Sequence, residues 1–243
     1  MPQATPIADP AMPLWRQIAQ PAILILLMAH AVPILGVLLW NWDAFLLLVL
    51  YWMETAVIGF WTLWLIGKAP DRTIGPYNEG KSTAHLIAFF TLHAGIFMTV
   101  HFVFLWSLFA GDWKSQIHNL SQFISVIVIG QGLWMALVFL FVARGIAPML
   151  LIYGPPWYSR QWLPDAASVP NPWHRDGILY ALYARIIVMQ IAIIASGFII
   201  EYLGGASAAA PLIVLIIVKT AIDLGLFLRT GFDVGKTAEV PAQ

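Results

Sequence analysis

The chain has 243 residues, 60% of them hydrophobic and 10% charged, with a mean hydropathy of +0.82 and a formal net charge of zero. Soluble domains carry about 25% charged residues, so water is not the main solvent of this chain, and its natural partner is the lipid bilayer. Dispersed basic residues exclude the patch that a nucleic-acid binder needs, and the absence of Cys removes disulfides, thiolate metal sites and thiol nucleophiles.

Residues 1–20 are rich in Pro and Ala and read as a flexible tail. Residues 21–40 form a first apolar run long enough to span, with Pro33 and the polar His30 inside it. Asn41-Trp42-Asp43 is a tight break, so the next run, 44–66, forms a hairpin with the first. Its one formal charge is Glu54, near the middle. A hydrophilic loop with Lys68, Arg72 and Lys81 leads to a third span, 84–110, which carries His85, His93 and His101.

The fourth span is expected over 120–142, with Gln131 as its polar residue. The run after Arg144 is apolar but too short to cross, which suggests an interfacial or re-entrant extension. The stretch 155–176, rich in Pro and Trp, suits a loop at the headgroup level. Span five covers 177–203 with Arg185 and Gln190, span six covers 209–229 with Lys219 and Asp223, and 231–243 is a C-terminal tail. The expected fold is thus all-α: one polytopic membrane bundle of about six transmembrane helices.

Six spans put both termini on one side. That side collects Arg16, Lys68, Arg72, Lys81, Arg144, Arg160, Arg175, Arg229 and Lys236, whereas the other holds Lys114 alone. The bias puts the termini in the cytoplasm and the protein in the inner (cytoplasmic) membrane of the cell.

A charge at the bilayer centre costs about 2.5–3.5 kcal/mol on insertion scales, so the embedded charges must be answered. At 1.5 Å per helical residue, Glu54 and Lys219 both lie roughly 15 Å from the outer end of their spans. Arg185 and Asp223 match each other in depth from the cytoplasmic side. The four charges sum to zero and divide into two pairs. They are either a packing device or the centre of a proton, ion or solute pathway, the default for charges at this depth.

His85, His93 and His101 recur every eight residues, about 12 Å apart along the axis, so no two of them ligate one ion directly. A divalent metal would need His93 joined by His30 and Glu54, a three-ligand site of the open, catalytic type. The competing reading has His93 and His30 hydrogen-bonding across helices to Gln131, Gln190 or a carbonyl. A Schiff base from Lys219 to retinal is disfavoured, because retinal proteins have seven spans. Trp52, Trp61 and Trp64 read as an aromatic belt with lipid-facing packing, and Gly59, Gly95, Gly197 and Gly225 as points of close helix approach.

Several short motifs act together. Tyr51-Trp52-Met53-Glu54 is followed by Gly59-Phe60, and Phe89-Phe90 by His93, Gly95, Phe97 and His101. The run from Ala184 to Met189 precedes Gly197, and Lys219-Thr220 precedes Asp223-Leu224. Together they resemble domain-of-unknown-function family 6498, multi-pass membrane proteins of bacteria and archaea. The resemblance runs from span two to the end of span six and implies that Glu54, His93, His101, Arg185, Lys219 and Asp223 occupy the family's polar positions. The family often has His where Gln190 stands here, a departure that weakens a metal site needing a ligand at that position.

The expected function is a transporter or proton-coupled pathway for a small solute or ion. The alternatives are a membrane-embedded metal-dependent enzyme acting on a lipid or small apolar substrate, and a structural or partner-binding membrane subunit.

Overall fold

The structure, a computed structural model, describes residues 21–68 and 80–154, and from the remainder 182–184, 186, 187, 190, 191, 195, 202, 216, 217 and 219–221. The tails at 1–20 and 231–243, the loop at 155–176 and most of the fifth and sixth expected spans lie outside the described residues, as do Arg185 and Asp223.

Among the described residues all regular structure is helical. The elements are α1 (Pro21–Trp40), α2 (Ala44–Lys68), α3 (Thr83–Phe109), the short α4 (Trp113–Gln116), α5 (Leu120–Gly130) and α6 (Leu133–Tyr153). Two of these, α2 and α3, are each long and apolar enough to cross a membrane, and the bent pair α5–α6 makes a third if counted as one span. The described residues therefore supply two or three candidate spans, not six.

The turn after α1 places Asn41 at φ 52°, a left-handed conformation that Asn tolerates better than most residues. Asp43 then caps α2, its Oδ1 accepting from the Leu46 N–H at 2.9 Å. Its Oδ2 accepts from the Trp113 indole at 2.8 Å, which ties the α1–α2 turn to α4. At the opposite end, Ser82 caps α3 by accepting from the His85 N–H.

α2 is the central helix. Every residue from Ala44 to Tyr51 is buried, as expected of a helix that is apolar on all sides. α3 runs antiparallel to it: Ile66 packs on Leu86 and Phe90 at one end, and Leu47 and Leu48 pack with Leu105 at the other. The opposite face of α3, with Leu92, Ile96, Val100, Val103 and Leu108 at helical spacing, is exposed and apolar. α6 runs parallel to α2, from Leu133 and Ala136 beside Phe45 and Leu46 to Tyr153 beside Trp64.

The fourth expected span is corrected. Residues 120–142 are not one helix: α5, π-helical from Phe123 to Gly130, meets α6 at a bend of 80°. Gly132 sits at φ 73°, a conformation that Gly adopts without a Cβ penalty, and it starts the new helix by accepting from the Met135 N–H. The carbonyl of Gln131 at the corner accepts from the buried Trp42 indole at 3.0 Å. Hence Gln131 marks the bend and is not the mid-span polar residue of the sequence reading. The helix then continues without interruption through Arg144 and Pro148 to Tyr153, so the apolar run after Arg144 is no separate extension.

Candidate functional site

The strongest polar feature centres on Glu54, 4% exposed in the middle of α2. Its Oε1 accepts from Arg144 of α6 through both Nε, at 3.2 Å, and Nη2. Its Oε2 accepts from Lys219 Nζ at 2.9 Å. The Lys219 ammonium also stands 4.4 Å from the ring centroid of Tyr51, one helical turn before Glu54, a contact that strengthens when water is excluded. Two cations from separate helical segments thus converge on the carboxylate of a third, and all three side chains are largely buried, with side-chain exposures of 12% for Arg144, 11% for Lys219 and 6% for Glu54.

The local sequence explains the placement. α6 begins beside the start of α2, so Arg144 lies about eleven residues into its helix and Glu54 about ten into its own, both roughly 15–17 Å deep. Arg144 is the residue that the sequence reading missed, because it was assigned to the cytoplasmic side as the end of a span over 120–142. The signal was Gly130-Gln131-Gly132, a break that shifts the span onto 133–153 and carries Arg144 to mid-depth. Glu54 and Lys219 are brought together at matching depth. The charge balance changes, since Glu54, Arg144 and Lys219 alone sum to +1.

Of the remaining expected polar residues, His93 bonds through Nδ1 to the Tyr183 hydroxyl at 2.7 Å, a partner on a facing segment that the spacing does not name. Its ring stands edge-on to Phe97, 5.2 Å between centroids. His101 is 5% exposed, deeper in packing than a residue near the far interface suggests. His85, at the start of α3, is exposed.

The three groups weighed as metal ligands are held apart in role. Glu54 serves two cations and His93 serves Tyr183, while the side chain of His30 lies outside the described residues. Among the described residues no three His or carboxylate groups converge as an ion would require.

The tryptophans of α2 also differ from expectation. Trp61 is buried, and its indole donates to the Phe141 carbonyl of α6 at 2.9 Å; Trp52 donates to the Met98 carbonyl of α3 at 2.7 Å. Trp61 is therefore not a lipid-facing belt residue, whereas Trp52 is half-buried. An indole N–H inside an apolar bundle needs an acceptor, and the second lone pair of a helical carbonyl supplies one. Close approach is served by Gly145, where a Cβ would come within 2.3 Å of the Trp61 ring; among the described residues nothing lies within 4 Å of a Cβ at Gly95, and Leu182 lies 3.9 Å from one at Gly59.

Comparison with curated proteins and with solved structures gives no match. The family of unknown function DUF6498 matches residues 12–239, nearly the whole chain, and includes every member of the Glu54 cluster. With that coverage, and with the motifs around Glu54, His93 and Lys219 in place, the chain belongs to DUF6498.

Proposed function

We propose that this is a six-span protein of the inner membrane, with both termini in the cytoplasm, that moves a small solute or ion past the charged centre at Glu54, Arg144 and Lys219. Contact ladders support the alternating topology. Leu182 and Ile186 pack on Ile58, Tyr183 meets Phe90 and His93, and Gln190 meets His101, so that segment follows the direction of α3. Ile216 packs with Tyr51, and Lys219 reaches Glu54, which is the direction of α2. On this reading α6, about 31 Å long, supplies the fourth crossing. α5, turned 80° from it, then lies along the outer surface with Leu120, Ile124 and Ile129 exposed.

The observation that carries the functional reading is the convergence of three ionic side chains from three helices on one mid-depth point. Membrane proteins keep such costly groups chiefly where ions, protons or polar solutes pass. Arg144 leaves the cytoplasmic tally on this topology, yet the remaining Lys and Arg of the loops and tails still favour the terminal side over Lys114.

The test is flux in proteoliposomes, followed for protons with an entrapped pH dye and for small anions and cations by isotope uptake. The wild type should conduct at least one of these, and Glu54→Gln, which keeps size and removes the charge, should abolish it in protein that still inserts. Undiminished flux in that variant would sink the proposal.

A second reading is favoured by the saturation of Glu54, whose two oxygens each hold a cation. There the cluster is a three-way lock that sets helix packing in a structural membrane subunit. It requires silence in every flux assay, together with a stable fold when Glu54, Arg144 and Lys219 are all replaced by apolar residues.

A further inference from the structure

The charged centre at Glu54 holds more positive than negative charge. Arg144 and Lys219 share one carboxylate, each taking a different oxygen, and all three side chains are largely buried, so water screens the surplus poorly. The Tyr51 ring, 4.4 Å from the Lys219 ammonium, meets part of that surplus with its quadrupole but carries no charge.

The other embedded groups do not restore the balance. On the six-span topology the remaining ionisable carboxylates and cations well inside spans are Arg185 and Asp223, which cancel in sum; Glu201 and Arg229, at the ends of theirs, cancel as well. Three deep cations thus face two deep carboxylates, and histidines can only add positive charge. A net charge in the hydrocarbon region is costly. One monovalent anion brings the sum to zero, whereas a cation raises it to +2, and a proton on Glu54 does the same.

The donors narrow the class of anion. One edge of the Arg144 guanidinium, Nε with Nη2, and the Lys219 ammonium together cover the two oxygens of a planar carboxylate. A small oxyanion with two coplanar oxygens can take the same donors, because charge-assisted bonds of this kind select for that shape. Glu54 is then its tethered competitor.

We propose that the centre binds one small monovalent oxyanion of carboxylate type against Arg144 and Lys219 and that, resting on the proposed pathway, this anion is the solute that passes. Glu54 acts as a surrogate anion that holds the two cations together until the solute arrives. Lys219, a point charge on a flexible stem, is the cation that changes partner, while Arg144 keeps its planar grip on Glu54.

Formate is the probe, and its binding is read separately from flux. In detergent-purified full-length protein, sodium formate replacing sodium gluconate at constant ionic strength should raise Tm by ~3–5 °C at about ten times Kd. Lys219→Met leaves a neutral Glu54–Arg144 pair and should lose that shift, while Lys219→Arg should keep it. Glu54→Gln removes the competitor and should bind formate about tenfold more tightly. In proteoliposomes, uptake of labelled formate without uptake of rubidium would support both site and pathway. A formate shift with no flux would leave the anion site standing and overturn the pathway. Flux of cations or protons with no formate shift would overturn the anion site and leave the pathway. No shift in the wild type, or an equal shift in Lys219→Met, overturns the proposal.

Discussion

Arg144 grips one oxygen of Glu54 through two of its nitrogens, Nε at 3.2 Å and Nη2, across the interface between α6 and α2. Lys219 takes the other oxygen from a third segment. Removing one member of a buried ion pair strands its partner in a medium of low dielectric, at about 3–5 kcal/mol. Glu54→Gln and Arg144→Met are each expected to lose that much stability in chemical unfolding of detergent-solubilised protein. The triple change Glu54→Leu/Arg144→Met/Lys219→Met should recover most of it. Single variants with wild-type stability would show that the contact contributes nothing.

Gly145 and Trp61 form the tightest helix contact on α6. A Cβ at 2.3 Å from the indole forces a backbone shift or a new rotamer, so Gly145→Ala should cost about 1–3 kcal/mol by overpacking. Trp61→Phe removes the donor to the Phe141 carbonyl together with part of a buried ring and should cost about 1–3 kcal/mol. Combined, the two changes should be less costly than their sum, because the smaller ring makes room for the methyl group. A double-mutant cycle reads this directly.

The corner between α5 and α6 depends on a left-handed residue. Gly132→Ala places a Cβ at φ 73° and should destabilise the protein by about 1–2 kcal/mol, with Gly132→Asn milder than Gly132→Ala. Equal thermal stability for all three proteins would mean that the corner tolerates a different backbone.

The chain has no Cys, so single Cys substitutions report topology without background. Gln116 of α4 and Lys68 at the end of α2 are both exposed and lie at opposite ends of the bundle. A membrane-impermeant maleimide should label Gln116→Cys in intact spheroplasts and Lys68→Cys only after permeabilisation. The reverse pattern would invert the orientation, and labelling of both in intact cells would break the six-span scheme.

Helices, the α1–α2 turn and the pairing depth of Glu54 with Lys219 were legible in the sequence. Each depends on a local pattern or on a count of residues along one axis. Arg144 was hidden because apolar runs flank it on both sides, and window hydropathy fits a span over 120–142 as readily as one over 133–153. The Gly130-Gln131-Gly132 break favours the second, but it is the positive φ of Gly132 and the Trp42 indole at the Gln131 carbonyl that decide between them. The tryptophans were misassigned for a related reason. Composition places indoles at membrane interfaces, but it does not reveal which carbonyls lie within their reach. Side-chain partners such as Tyr183 for His93 depend on how helices are ordered around the bundle, and a single chain does not encode that order in its spacing.

The indoles of Trp42, in the turn before α2, and of Trp52 and Trp61 on it donate to the carbonyls of Gln131, Met98 and Phe141 at successive depths. Each carbonyl is a fixed mark on a neighbouring backbone, so together they act as three registration pins through the thickness of the bundle. Sliding α2 by a single residue, a rise of about 1.5 Å, would misalign all three at once. The pins hold α2 in register against both α3 and α6. A working cycle in this protein that slid α2 along its neighbours would have to break all three bonds together.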